Sequence, residues 1–318
     1  MELIKSGTNL DFVGNRMIAI GFSCALVALS LAILAVRGPN YGIDFTGGTL
    51  VQLKFGEDQS MDAVREALTP IGMQNAEIQD FTDNFGSAAD DGGSEFLIRL
   101  PLSNEAVGDT SVRVTDAMRD KFGAEAFVIQ RVENVGPRVG EALRTQAILA
   151  VLFATVMMGC YIWFRFEMRF GIGAYAALAH DVIVTVGALS LFGYEIDLTV
   201  VAGILTVVGY SVNDTVIISD RIRENMRKNR KEPLAKLINR SINETLSRTI
   251  ITTGTAILVI LALFFLGGTV IHTFAFTLLV GFVIGTYSSI FVAAPIVLWF
   301  ENPGATKAIA AKASAKTA

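Results

Sequence analysis

Six apolar runs, each about the length that crosses a bilayer as a helix, set the outer limits on what this chain can fold into. They cover roughly Met17–Val36, Leu143–Trp163, Phe170–Phe192, Leu198–Ser219, Ile250–Leu266 and Phe274–Phe300; about 20 consecutive apolar residues suffice to span the hydrocarbon core. With 52% hydrophobic residues and a mean hydropathy of +0.51, the chain reads as an integral membrane protein. Lys5 and Arg16 precede the first run as they would in a secretory signal. That run is too long for a signal core, and Ala35-Val36-Arg37 is a poor cleavage site, so a retained anchor is expected.

Lysine and arginine in short connections set the orientation. RIRENMRKNRKEPLAKLINRSINETLSR is strongly basic, Arg165 and Arg169 follow the second span, and Lys307, Lys312 and Lys316 lie in the tail. These segments are expected on the cytoplasmic side. The predicted plan is a cytoplasmic N-terminus (1–16), a first span (17–36), an exported periplasmic domain (37–142), spans two to six within 143–300 with a basic cytoplasmic loop at 220–248, and a cytoplasmic tail (301–318). From Arg37 to Leu143 there are 18 acidic and 9 basic residues, a net of −9, which agrees with export. Cys24 and Cys160 both fall in apolar runs and imply no disulfide framework; two histidines without metal-ligand spacing argue against structural zinc.

Between the first two spans the hydrophobic period changes. Thr49, Val51, Leu53 and Phe55 alternate with Leu50, Gln52 and Lys54 as in a strand. Ser60 is placed to cap a helix carrying Met61, Val64, Leu68 and Ile71 on one face. Ala76–Thr82 and Glu95–Leu100 read as strands, Asn104–Phe122 as a helix with Val107, Val114 and Met118 inward, and Phe127–Val135 as a closing strand. The intervening GSAADDGGS is a loop. This β-α-β-β-α-β order predicts a ferredoxin-like α+β domain. Gly42–Gly48 (GIDFTGG) lacks the lysine and following helix of a phosphate loop and is read as a tight turn. No nucleophile elbow or metal cluster is present in this domain, so no enzymatic site, cofactor or metal is expected there.

The fourth run carries a carboxylate in VVGYSVNDTVIISD. An ionised aspartate at mid-membrane costs at least about 2.5–3.5 kcal/mol on insertion scales, so Asp214 asks for a reason. Thr206, Tyr210, Asn213 and Asp214 share one helical stripe, and Gly203 and Gly209 leave room for a neighbouring helix. His180 and Asp181 form a second ionisable pair midway along the third run. Arg248 opens the fifth, followed by Thr249, Thr252, Thr253 and Thr255. Gly281 and Gly285 make a GxxxG packing pattern. Structural readings stand beside these: Asp214 as a register-fixing ion-pair partner, Arg248 as a snorkelling anchor, His180 and Asp181 as partners of each other. A carboxyl that exchanges Arg248 or water as helices shift would load a proton on one side and release it on the other.

YGIDFTGGTLVQLKF after the first span, VVGYSVNDTVIISDRIREN across the fourth and SRTIITTGTAILVILALFFLGG in the fifth together resemble the SecF branch of the SecD/SecF family, in the resistance–nodulation–division superfamily. The likeness covers nearly the whole chain. It implies pairing with SecD, action beside the SecYEG channel after the SecA-driven stage, unfolded preprotein as substrate, and protons as coupling ion. YajC and YidC are further candidate partners; membrane lipid is expected and nucleic acid is not. It also implies that Asp214 is the proton-responsive carboxylate and Arg248 its basic partner, while giving no role to His180 and Asp181. A half-size exporter of a small molecule or lipid and a non-catalytic scaffold of the channel are the competing readings. An intramembrane aspartyl protease using Asp181 and Asp214 lacks its Gly-x-Gly-Asp signature, and a rhomboid-like serine site lacks Gly-x-Ser-Gly.

Overall fold

The computed structural model describes residues 9–74, 76–80, 93–100 and 107–300. Among them, six helical stretches are long and apolar enough to cross a membrane. Helix α1 (Arg16–Val36) leads to a one-turn helix α2 (Ile43–Thr46) and then to a small domain of β1 (Gly48–Phe55), α3 (Met61–Leu68), β2 (Glu77–Asp80), β3 (Glu95–Leu100), α4 (Val107–Phe122) and β4 (Phe127–Val135). The bundle continues with α5 (Pro137–Arg165), α6 (Met168–Phe192), α7 (Leu198–Lys228), α8 (Leu234–Leu266) and α9 (Gly268–Ser288). A π-helical turn (Ser289–Ala293) and α10 (Ala294–Trp299) complete the last span.

The α+β domain has the expected order. Its sheet runs β2-β3-β1-β4, all neighbours antiparallel, with Val51 opposite both Ile98 and Val132. Ser60 caps α3 by accepting the N–H of Ala63 at 3.2 Å. Val64, Leu68, Val114 and Met118 are fully enclosed against Val51, Leu53 and Phe55. Ile71 falls beyond the end of α3. Leu50 and Gln52, on the sheet face opposite Val51 and Leu53, are buried as well. Leu50 is covered because Ile43 of α2 returns beneath the sheet and packs there with Leu97. Thus GIDFTGG is a helical turn rather than a simple bend. Its last two glycines, Gly47 at φ 73° and Gly48 at 140°, redirect the chain into β1.

The stretch 220–248, expected as a basic loop, is helical except around Asn229–Pro233. The apolar period ends near Ser219, but the helices do not, because the polar continuation is itself amphipathic. Ile222, Leu237, Ile238 and Ile242 pack between the two arms. Arg221 ties them by pairing with Glu244 at 2.6 Å, and Asn225 donates to Ser241 at 2.9 Å. At 1.5 Å per residue, α7 and α8 are each about 45–50 Å long, well beyond the roughly 30 Å of hydrocarbon. The preceding segment seals this hairpin: Phe12 donates its N–H to Asn239 at 2.8 Å and Leu10 to Asn243 at 2.9 Å.

Several expectations fall outside the described residues: Lys5, Asn104, Phe81 and Thr82, most of the GSAADDGGS loop, and Lys307, Lys312 and Lys316 of the tail. The burial of Val107 is likewise outside them. Within the bundle, α6, α7 and the last span are the most enclosed, while α1, α5 and α8 lie around them. Asp181 lies within that enclosed set, and Asp214 lies where α7 and α9 meet α8.

Candidate functional site: two buried carboxylates in the bundle

Close helix contact is what encloses the carboxylates. Gly203 of α7 faces Phe274 and Thr277 of α9, 3.2 Å from where a side chain would begin. Gly281 lies against Val207 so tightly that a methyl there would overlap it, and Gly285 lies 3.0 Å from Ser211 by the same measure. Gly203, Gly281 and Gly285 thus each stand where two helices come close. Gly209 differs: nothing lies within 4 Å of its missing side chain.

Asp214 is 1% exposed, between α7, α8 and α9. Its Oδ2 accepts from Thr253 at 3.4 Å and from Thr286 at 3.5 Å, both long; the two threonines lie 3.0 Å apart. Its Oδ1 has no hydrogen-bond partner among the described residues. Tyr210 stacks on Phe282 at 3.7 Å and donates toward Thr253 at 3.5 Å, at the edge of the same cluster. Arg248 is exposed on α8. Neither oxygen of Asp214 is bonded to it. Of the predicted stripe, Asp214 is buried and Tyr210 half-buried, whereas Thr206 and Asn213 are exposed. These two and Gly209 face away from the other helices of this chain.

Asp181 is equally enclosed and very differently bonded. His180 Nδ1 lies 3.0 Å from its Oδ1. Ser211 and Ser288 donate to its Oδ2 at 2.6 and 2.8 Å. Thr215 and Ser289, 2.8 Å apart, extend this polar seam along α7 and the π-helical turn. The wide turn precedes Pro295, which has no N–H to give to a regular helix.

Sequence reasoning missed Ser211, Thr286, Ser288 and Ser289. The usable signal was Thr286-Tyr287-Ser288-Ser289, four consecutive hydroxyl side chains inside an apolar run. What the Asp214 site offers chemically is a carboxyl with one free oxygen and two weak hydroxyl partners. Hydroxyls can donate to a carboxylate or accept from a carboxylic acid, so neither charge state requires the surrounding helices to break apart.

The comparisons with known proteins agree with this architecture. Residues 114–303 match the model of the protein export membrane protein SecD/SecF C-terminal family, and residues 32–59 match the SecD/SecF GG motif. The chain is 45% identical to the protein translocase subunit SecF of Magnetococcus marinus, over 100% of both chains. It is 40% identical to that of Escherichia coli O157:H7, over 94% of this chain and 90% of the relative. The crystal structure of SecDF, a translocon-associated membrane protein from Thermus thermophilus, superposes with a TM-score of 0.81 at 37% identity. That match covers 92% of this chain and 39% of the SecDF chain, so the present chain spans well under half of it. A second SecDF structure, in a super-membrane-facing form, matches over 100% of this chain with a TM-score of 0.66. Six spans, a four-stranded domain after the first, and full-length matches together establish that the chain belongs to the SecD/SecF family, among its SecF subunits of the Sec translocase: a multi-pass transport component of bacteria rather than an enzyme.

Proposed function

We propose that this chain is the SecF half of a proton-driven export device, in which Asp214 loads and releases a proton as it and Arg248 change relation. The supporting observation is the buried, half-satisfied carboxyl of Asp214 between α7, α8 and α9. Arg248 lies on α8 five positions before Thr253, a partner of Asp214, and is itself not bonded to the carboxyl. A small displacement of α8 against α7 would alter that relation. One charge crossing 100 mV is worth about 2.3 kcal/mol, enough to bias two arrangements of packed helices.

SecD is the partner that would supply the remaining part of the proton path. Thr206, Gly209 and Asn213 are open in this chain beside the Asp214 cluster, where an added helix would fit. The basic hairpin of α7 and α8 then lies in the cytoplasm with both termini, and the acidic α+β domain in the periplasm, where it meets preprotein leaving SecYEG after the SecA-driven stage. His180 and Asp181 act here as a bracing pair between α6, α7 and the last span, not as the working site.

The test is preprotein completion in energised vesicles containing SecD, with Asp214→Asn. Asparagine keeps the shape and loses the titration. Loss of the proton-driven stage with the complex intact is the expected outcome. Unchanged export, with unchanged dependence on the proton gradient, would make Asp214 structural and end this reading.

A further inference from the structure

The α+β domain is fastened to the outer end of the helix that carries Asp214. Ile196, just before α7, donates its N–H to the carbonyl of Asn40 at 2.7 Å, and Gly42 donates to the carbonyl of Ile196 at 2.9 Å. Asp44, on α2, accepts the N–H of Leu198, the first residue of α7, at 2.9 Å. From the sheet side, Arg99 of β3 pairs with Glu195 of the α6–α7 connection and with Glu77 at 3.3 Å.

Successive residues of α2 point into different bodies. Ile43 enters the sheet with Leu50 and Leu97. Phe45 enters the bundle with Leu189, Ile196, Val200 and Ile204. Asp44, between them, closes on the start of α7. Gly140 of α5 packs behind this turn: a side chain there would begin 3.0 Å from the Gly47 nitrogen and 3.2 Å from the Phe45 carbonyl. The first N–H groups of a helix have no partner within it. In α7 two of them are met by carboxylates: Val200 by Asp197 of its own chain segment, and Leu198 by Asp44 of the domain joint. This bond links the start of α7 to the turn that carries Ile43 and leads into β1. From Leu198 to Asp214 the helix offers a rigid arm of about 24 Å.

We infer that Asp44 and Arg99 are positioning residues for export: they transmit displacement of α7 to the α+β domain. This inference rests on the proton-cycling reading above. Neither residue touches the proton site, so their loss should separate proton movement from work.

The experiment measures proton uptake and preprotein completion together, in energised vesicles containing SecD, for Asp44→Ala, Asp44→Asn, Arg99→Gln and Asp214→Asn. Asp44→Ala and Arg99→Gln should keep assembly and proton uptake, while completion falls at least about tenfold, the scale of one lost charge-assisted contact. Asp44→Asn retains an acceptor for Leu198 and should lie between Ala and the parent. Normal completion in Asp44→Ala and Arg99→Gln overturns the coupling while leaving Asp214 untouched. Joint loss of uptake and completion also overturns it, since these residues would then act on the proton site. If Asp44→Ala fails to assemble, Arg99→Gln decides by itself. Unchanged uptake in Asp214→Asn removes the premise, and the coupling falls with it.

Discussion

Asp181 and Asp214 are both 1% exposed in the same bundle, yet their surroundings differ in kind. Asp181 is met by His180, Ser211 and Ser288, all within 3.0 Å. Asp214 has two hydroxyls at 3.4 and 3.5 Å and one oxygen with no partner among the described residues. Burial alone thus does not mark a working carboxylate. The number and closeness of the partners separate the two: short contacts reach both oxygens of Asp181, whereas the partners of Asp214 are sparse and long, as the proposed proton cycling would require.

The sharpest way to break this comparison is to neutralise each carboxyl in turn. Asp214→Asn is expected to lower proton-driven preprotein completion by at least about tenfold, equivalent to about 1.4 kcal/mol in the driving step. Asp181→Asn should leave completion within about twofold, far below that 1.4 kcal/mol step. Parallel completion assays on the two variants decide it; equal losses would mean that both sites carry protons.

Removing rather than neutralising Asp181 exposes its bracing role. Asp181→Ala strands the hydroxyl of Ser211 and one nitrogen of His180, each costing about 1–3 kcal/mol if left unsatisfied, while Ser288 keeps the Gly285 carbonyl at 3.1 Å. Thermal unfolding in detergent should show a marked drop. Asp214→Ala, which strands only Thr253 and Thr286 (already paired with each other at 3.0 Å), should drop less.

A similar contrast separates two glycines of the same packing class. Gly281→Ala forces a methyl into Val207 and should destabilise the isolated chain by about 1–3 kcal/mol, the usual cost of overpacking. Gly209→Ala meets nothing within 4 Å and should leave the isolated chain unchanged. Co-purification with SecD then discriminates: a Gly209→Leu variant that folds but no longer retains SecD places the partner on this face.

How far the sequence reaches follows from what kind of contact decides each feature. The six spans and the four strands depend on apolar period, which is local, and Glu95–Leu100 and Phe127–Val135 match the observed β3 and β4 residue for residue. Asp214 was visible because a charge in an apolar run is costly wherever it sits. The partners of Asp214 were not, since Thr253 and Thr286 come from α8 and α9 and meet it only when the helices pack. The hairpin beyond residue 219 was hidden for another reason. Its helices outlast the apolar run, and only the buried stripe of Ile222, Leu237, Ile238 and Ile242 marks their continuation. Asp44 looked like a turn residue because its partner, the N–H of Leu198, is 154 positions away.

A third carboxylate environment, at the edge of the bundle, sharpens the comparison with the smallest effect. Asp197 caps α7, accepting from Val200 at 2.7 Å. Burial, chiefly, and the nearby charge of Asp44 hold its carboxyl above the ordinary value of 3.8, against the opposing pull of the Val200 N–H, Arg131 and the Thr199 N–H. A raised acid means that the folded chain binds this proton more tightly than the unfolded one. Its contribution to stability is therefore full below 3.8 and is lost as pH rises through the elevated value. Asp197→Asn keeps an acceptor for Val200 and carries no charge at any pH. Its unfolding temperature should slightly exceed the parent's at neutral pH, and the gap should close on acidification as the parent's own carboxyl becomes neutral. A gap of the same size at both pH values would mean that the asparagine acts through packing, leaving Asp197 a simple cap rather than a strained carboxylate beside Asp44.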